Sequence, residues 1–184
     1  MKKYLILFMM VLTMLLTACG GESGNNAGSS NGSDSGSNAG TQTDNQQETA
    51  KVGYVFSYEG VDVIVDQKAD DIIAALGDPR SYYEAASCAF DGLDKIYTYS
   101  SFQIYTYPID DVDYISAIVL KDDMVATAEG VAIGDDLQKV KDTYGEWTEE
   151  QGMYVYTKDN MKLCFIAQDG IVVSIEYHTK VMDN

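Results

Sequence analysis

The stretch of sequence that decides the fold runs from residue 128 to residue 145 and reads Ala128-Glu129-Gly130-Val131-Ala132-Ile133-Gly134-Asp135-Asp136-Leu137-Gln138-Lys139-Val140-Lys141-Asp142-Thr143-Tyr144-Gly145. A short β-rich piece leads into two carboxylates, which favour the start of a helix. Leu137, Val140 and Tyr144 then recur at the spacing of one helical face, and Gly145 suits the left-handed position after a helix. The stretch predicts a β piece followed by an amphipathic helix over Asp135–Tyr144.

The same order of elements occurs seventy residues earlier in the chain. Tyr58-Glu59-Gly60-Val61 corresponds to Ala128-Glu129-Gly130-Val131, and it precedes a helix predicted over Ala69–Leu76 that stops at Gly77-Asp78-Pro79. Self-similarity of this kind indicates an internal repeat. We therefore expect repeat 1 over residues 51–123 and repeat 2 over residues 124–184.

Runs rich in Tyr, Val, Ile and Thr follow each helix and favour strands. Three strand segments are predicted after each helix, separated by Asp, Asn and Gly turn signals. They are residues 82–90, 95–107 (two strands bent at Ser100-Ser101) and 114–120 in repeat 1, and residues 152–157, 161–167 and 171–177 in repeat 2. The predicted fold class is α+β: two tandem helix-plus-antiparallel-sheet repeats that form one continuous curved sheet, with the helices on one face.

The first nineteen residues have the organisation of a secretory signal. Lys2 and Lys3 precede an apolar run over residues 4–16, and Leu16-Thr17-Ala18-Cys19 resembles a bacterial lipobox. The resemblance implies that Cys19 becomes the first residue of the mature protein and carries a lipid. Residues 20–50, dominated by Gly, Ser and Asn, predict a disordered tether. We expect a protein anchored by lipid on the extracellular face of a Gram-positive cell membrane.

The charge of the chain is strongly acidic, with 29 acidic and 12 basic residues and a net charge of −17. Four of the acidic and two of the basic residues precede Lys51, so residues 51–184 hold 25 acidic and 10 basic side chains, a net charge of −15. Such a surface repels phosphate backbones and anionic lipids. We expect no nucleic-acid partner, and contact with the membrane through the lipid anchor only.

Candidate reactive groups are few. Cys88 and Cys164 could form a disulfide outside the cell or stay as free thiols, and the single histidine, His178, has no evident role beside either one. The chain matches no nucleophile, zinc or phosphate-loop motif. We predict no catalytic residue and no cofactor, and interpret the chain as not an enzyme. A hydrolase that uses a pair of carboxylates is the alternative.

Two groups of carboxylates lie in predicted turns. Asp110, Asp111 and Asp113 form one group and Asp122-Asp123 the other. Oxygen-rich clusters can hold calcium, but the glycine and glutamate of a calcium-binding loop are missing at the required spacing. We interpret both groups as solvated turn residues and predict no metal site.

Four tyrosines alternate along neighbouring strand segments. Tyr97 and Tyr99 share one face of their strand, as do Tyr105 and Tyr107 on the next. An exposed aromatic sheet face is a plausible protein-binding surface. Ordinary cross-strand packing is the alternative interpretation.

Parts of the sequence resemble known families. Residues 136–140 leading to Tyr144-Gly145, and the hairpin ending in residues 173–177, resemble the β-lactamase inhibitor protein fold and the small outer-membrane assembly lipoproteins that carry one such unit. The blocks 87–99 and 125–134 are similar to uncharacterised lipoproteins of Clostridia-type Gram-positive bacteria.

In the inhibitor family two repeats build a concave sheet whose aromatic face grips a target enzyme. The resemblance implies partner-binding roles for Tyr97, Tyr99, Tyr105 and Tyr107. This chain lacks the two intra-repeat disulfides of that family, so inhibition of a β-lactamase does not carry over.

The sequence thus predicts a monomeric, non-catalytic binding module for an envelope or extracellular protein. A structural or assembly lipoprotein of the envelope is the main alternative.

Overall fold

The computed structural model of the chain describes residues 53–183. The predicted signal peptide, the lipid attachment at Cys19 and the tether over residues 20–50 lie outside this range. The elements within it are β1 (Phe56–Tyr58), β2 (Val61–Val63), α1 (Ala69–Leu76), β3 (Ser81–Ala86), β4 (Leu93–Thr98), β5 (Phe102–Ile109), β6 (Val112–Leu120), α2 (Leu137–Tyr144), β7 (Thr148–Glu150), β8 (Met153–Lys158), β9 (Met161–Gln168) and β10 (Ile171–Thr179). Neither described helix is long and apolar enough to cross a bilayer.

Strands β3 to β10 form one antiparallel sheet in the order β3-β4-β5-β6-β10-β9-β8-β7, and β1 and β2 form a separate hairpin. The sheet is curved and open, with β3 and β7 as its outer strands. At its centre β6 pairs with β10, where Ile175 lies opposite Leu120 and Tyr177 opposite Ile118. The predicted α+β class with antiparallel strands is confirmed, and the sheet is continuous between the two halves of the described chain.

One face of the sheet carries the hydrophobic core. Side chains of the inner strands that share this face are fully buried, among them Ile104, Ile118, Phe165 and Ile175. The helices cover them with Ile72, Ile73 and Leu76 from α1 and Leu137 and Val140 from α2, and the β1–β2 hairpin adds Phe56 and Val63. Burying one such side chain contributes about 1.5–3 kcal/mol to stability.

The helix ends follow the sequence signals closely. α1 has the predicted bounds, and Gly77 and Gly145 follow the two helices with φ angles of 76° and 87°. The second helix begins at Leu137 rather than at the predicted Asp135, because Asp136 acts as its N-cap: its carboxylate accepts a hydrogen bond from the Gln138 N–H at 2.7 Å. The residue before α1 is Lys68, which makes no side-chain cap.

A strand tyrosine holds the C-terminus of each helix. Tyr99 donates a hydrogen bond to the Gly77 carbonyl at 3.3 Å, and Tyr156 donates to the Gly145 carbonyl at 2.9 Å. These carbonyls belong to helix ends that lack intrahelical partners. Each bond therefore ties a helix end to the sheet beneath it.

The segment before each helix is also bonded to the sheet. In both halves it exchanges two backbone hydrogen bonds with the last strand of the same half. The bonds are Asp66 N–H to Ile115 O (2.8 Å) and Ile115 N–H to Gln67 O (2.9 Å), then Gly134 N–H to Val172 O (2.8 Å) and Val172 N–H to Asp135 O (2.9 Å). The strand register shifts directly beside each site, between Ile115 and Ala117 in β6 and between Val172 and Ser174 in β10.

Strand bounds differ from the predictions mainly at chain reversals. The bend predicted at Ser100-Ser101 is the hairpin that joins β4 and β5. The strand predicted over residues 82–90 stops at Ala86, because Ser87 Oγ accepts hydrogen bonds from the N–H groups of Ala89 and Phe90 and starts a turn. Strand β7 was not predicted from the sequence.

Candidate functional site on the helix-free face of the sheet

The face of the sheet opposite the core is lined by polar and small side chains. The helix residues that pack on the sheet within residues 53–183 belong to the core cluster on the other face. We call the opposite surface the helix-free face and define it by Gln103, Tyr105, Ala117, Val119, Lys162, Cys164, Glu176 and His178. The strand register places these residues side by side: His178 lies between Ala117 and Lys162, and Glu176 between Val119 and Cys164.

A groove of about 360 Å³ crosses one end of this face. Tyr105, Ala117, Cys164 and His178 line its floor, the β7–β8 turn provides one wall, and the segment after β10 provides the other. The wall residues are Glu150, Gln151 and Met153 on one side and Met182 and Asp183 on the other. The groove combines apolar contact area with fixed polar groups, which is the usual make-up of a binding site.

Lys162 ties the two walls of the groove together. Its Nζ lies 2.8 Å from Glu150 Oε2 on the β7–β8 turn and 2.9 Å from Asp183 Oδ2 on the C-terminal segment. The hydrogen bond to Glu150, followed by that to Asp183, raises the pKa of Lys162. The lysine therefore stays charged, and its two ion pairs link the β7–β8 turn to the segment after β10.

Three alternating residues of β10 form a hydrogen-bonded chain beside the groove. His178 Nε2 lies 2.8 Å from Glu176 Oε2, and Ser174 Oγ donates to Glu176 Oε1 at 2.9 Å. The bond from His178 lowers the pKa of Glu176, and the bond from Ser174 acts in the same direction against the effect of burial. In a catalytic triad the serine donates to a histidine, and the carboxylate orients that histidine. Here Ser174 and His178 both bind Glu176, so the three side chains do not have the arrangement of such a triad.

The two cysteines have different environments. Both are free, Cys88 exposed in the loop after β3 and Cys164 buried beneath the helix-free face. Burial, followed by the negative charge of Glu176, raises the pKa of Cys164 to about 12. Its thiol is neutral at physiological pH and a poor nucleophile.

The four candidate tyrosines do not form one exposed surface. Tyr97 pairs with Ile104 and Tyr105 pairs with Ile96, so the first tyrosine lies on the core side and the second on the helix-free face. Tyr99 and Tyr107 are 7% and 2% exposed. An aromatic sheet face built from all four residues is therefore wrong, because two of them pack inside the domain. Of the four, only Tyr105 lines the groove, where its hydroxyl donates to Gln103 Oε1 at 3.1 Å.

Four of the five carboxylates singled out in the sequence lie in turns, whereas Asp113 lies in β6, so its interpretation as a solvated turn residue is wrong. Asp110 and Asp111 take left-handed φ angles of 49° and 62° in the β5–β6 turn. Asp113 forms an ion pair with Lys95 at 2.5 Å, and Asp122 accepts a hydrogen bond from the Met124 N–H at 3.0 Å. Among the described residues, no three His, Cys, Asp or Glu side chains come together as a metal site would require.

Sequence reasoning missed Lys162, Glu176 and His178 as members of one site. A signal was present: Ser174, Glu176 and His178 alternate with the buried residues Ile175 and Tyr177. Alternation of this kind places the polar set on one sheet face. What the sequence could not supply was the pairing of β10 with both β6 and β9.

Comparisons with known proteins give little further guidance. No protein-family model matches the chain, and no curated protein matches it. Among solved structures, the chain is similar to the crystal structure of a cysteine-rich secretory protein from Staphylococcus aureus subsp. aureus Mu50. The identity is 10% and the TM-score 0.46, and the match covers 64% of this chain and 45% of that chain, less than half of its length.

Proposed function

We propose that this protein is a non-catalytic binding module, anchored by lipid at Cys19 to the extracellular face of a Gram-positive cell membrane. Its partner is an envelope or extracellular protein that contacts the helix-free face. The observation that carries the proposal is the groove whose walls Lys162 holds in place. A structural or assembly role would use the same face and differ only in the partner.

The side chains around the groove favour contact with a protein. Tyr105 and Met153 line it beside Met182, whose side chain is 44% exposed. Tyrosine and methionine are enriched at interfaces, because they supply large contact area at low entropic cost or with an adaptable shape. The polar groups nearby are already positioned by the Glu176 and Lys162 hydrogen bonds, which reduces the cost of ordering them on binding.

Charge favours a basic partner. Glu150 and Asp183 line the groove and Glu176 lies beside it, whereas Lys162 is the cation that bonds the first two. Residues 51–184 carry a net charge of −15. A partner surface with Lys or Arg would be steered toward the protein, and its association rate would fall at high salt.

We also infer that the two halves are copies of one folding unit, arranged as in the β-lactamase inhibitor protein fold. The tyrosine bond to the glycine after the helix, the paired backbone bonds before the helix and the adjacent register shift occur once in each half. Fifty-seven residues separate Tyr99 from Tyr156 and also Ile115 from Val172. Agreement at several independent contacts supports a duplication more strongly than sequence similarity alone does.

Site-specific photo-crosslinking in intact cells tests the proposed binding face. A photo-reactive aromatic residue replaces Tyr105 in the full-length lipoprotein, and a matched control carries it at Thr143, an exposed residue of α2 on the other side of the sheet. We expect adducts with a second protein from position 105 and not from position 143. Equal adducts from both positions, or adducts from position 143 alone, would overturn the assignment.

A separate variant tests the anchor. Cys19→Ser removes the sulfur that the lipobox-like sequence implies as the lipid attachment. We expect this variant to leave the membrane fraction or to accumulate as an unprocessed precursor, as followed by fractionation and intact mass. A variant that is still processed and membrane-bound would contradict the anchoring.

A further inference from the structure

The two outer strands of the sheet differ in a way that matters for association. β7 is three residues long and carries Glu149 and Glu150. β3 is six residues long, all six residues are exposed, and its register with β4 runs without a shift from Ser81–Thr98 to Ala86–Leu93. Proteins commonly protect a sheet edge by shortening it, or with charge, proline or a bulge. β7 is short and acidic, whereas β3 is long and carries one charged residue.

The outer edge of β3 presents backbone hydrogen-bonding groups. The bond from Ser87 N–H to Gly92 O at 3.0 Å shows which residue pairs of the antiparallel β3–β4 ladder are hydrogen-bonded, since bonded and non-bonded pairs alternate along it. The backbone groups of Ser81, Tyr83 and Ala85 therefore face β4, and those of Tyr82, Glu84 and Ala86 point away from the sheet. Within residues 53–183 no strand pairs with this side of β3. A row of such groups is the template for another extended chain.

Two tyrosines flank this edge. Tyr82 and Tyr83 are 47% and 62% exposed and, as neighbours in a strand, lie on opposite faces. Tyr82 packs against Tyr97 with ring centroids 5.1 Å apart, and its hydroxyl is hydrogen-bonded to Glu84. An added strand would thus meet an aromatic side chain on each face, with a carboxylate beside one of them.

We propose that β3 is a docking strand: an extended, basic segment of a partner protein adds beside it as a ninth strand, with Lys or Arg near Glu84. A second copy of this chain fits less well. Two copies would bring together domains of net charge −15 each, and antiparallel self-pairing centred on Glu84 would oppose two carboxylates directly, which is destabilising. The site is separate from the helix-free face and stands independently of the binding role proposed there.

Proline at an outward-facing position tests the hydrogen bonding. Glu84→Pro removes an N–H that points away from β4, so the β3–β4 ladder keeps its bonds. The matched control is Glu149→Pro on β7, which also faces outward because the Gln151-Gly152 hairpin makes Glu150 and Met153 a bonded pair. A photo-reactive residue at Tyr83 in the full-length lipoprotein serves as the probe in intact cells, and thermal unfolding verifies that both variants fold.

We expect position 83 to yield an adduct with a different protein, reduced about tenfold by Glu84→Pro and unchanged by Glu149→Pro. Glu84→Lys, which retains the N–H, should weaken the adduct through charge, and Glu149→Lys should not. An adduct with the mass of two copies of this chain would overturn the proposal in favour of self-association. The same adduct yield in the Glu84→Pro variant, or no adduct at all, would overturn strand addition. Adducts at position 105 are scored separately, so one site can fail without the other.

Discussion

The half of the sheet built from β3–β6 and the half built from β7–β10 hold their helices with the same contacts but present different surfaces. In each half a strand tyrosine bonds to the glycine after the helix, and the last strand bonds to the segment before it. The outer strand is long and exposed in the first half and short and acidic in the second. The contacts that position the helices are the same in both halves, whereas the edges and the groove carry the differences that we associate with binding.

The largest expected effect lies at the centre of the sheet. Ile118 and Ile175 are both fully buried, one on each central strand, and occupy corresponding positions if the halves are copies. We expect Ile118→Ala and Ile175→Ala each to lower the free energy of unfolding by about 2–5 kcal/mol, because each leaves a cavity in the core. Urea denaturation measures both. If the two losses in free energy of unfolding differed by more than about 2 kcal/mol, Ile118 and Ile175 would not be equivalent core positions.

The second-largest expected effect concerns the N-terminal caps, which differ between the two helices. Asp136 caps α2 through the Gln138 N–H, whereas Lys68 makes no side-chain cap on α1. Asp136→Ala should lower the free energy of unfolding by about 1 kcal/mol, and Lys68→Ala should change it by less than about 0.5 kcal/mol. Thermal unfolding of the two variants provides the test. Equal losses would contradict the assignment of a stabilising side-chain cap to α2 alone.

A smaller effect compares the two tyrosine bonds at the helix ends. Tyr156→Phe and Tyr99→Phe each remove one hydroxyl and keep the ring. We expect losses of about 0.5–1.5 kcal/mol per bond, with the larger loss for Tyr156, because its bond to Gly145 O measures 2.9 Å against 3.3 Å for Tyr99 and Gly77 O. The reverse order in urea denaturation would contradict this ranking.

The helices could be predicted closely from the sequence, because each is bounded by local signals. Ile72, Ile73 and Leu76 at helical spacing before Gly77 predict the observed bounds of α1. The sequence pattern places Asp136 within the second helix, but this residue is the N-cap. The sequence does not predict β7, because Thr148-Glu149-Glu150 lacks the apolar pattern of a strand. This segment is a strand because it pairs with β8.

The candidate site was less predictable because it depends on pairing between distant strands. Alternation told which tyrosines share a face, but only the pairing of Tyr97 with Ile104 and of Tyr105 with Ile96 shows which face is the core. In the same way, His178 meets Ala117 and Lys162 only through the pairing of β10 with β6 and β9. The sequence of each strand by itself does not determine which strands pair or in which register they do so.

The smallest expected effect depends on pH and is confined to the second half. Glu176 on β10 lies opposite Val119 on β6, so only β10 carries a titratable side chain at this pair. The hydrogen bond from His178 lowers the pKa of Glu176 below its ordinary value of 4.5. The hydrogen bond from Ser174 and the positive charge of Lys121 act in the same direction. The unfolded chain therefore binds a proton at a higher pH than the folded chain does. The stabilisation from the carboxylate is complete above pH 4.5 and is lost as the pH falls through the lower folded pKa.

Glu176→Gln should remove this dependence while keeping hydrogen-bonding capacity at the position. We expect the variant to lose less than about 1 kcal/mol at pH 7, since the hydrogen bond to His178 is partly exposed, and to show a shallower fall in stability between pH 5 and pH 3. Urea denaturation across this range measures both quantities, and Glu149→Gln on the exposed β7 edge is the matched control. If Glu176→Gln retained the acid sensitivity of the native chain, the fall would arise from other carboxylates. The bond between His178 and Glu176 would then order the groove without contributing to stability.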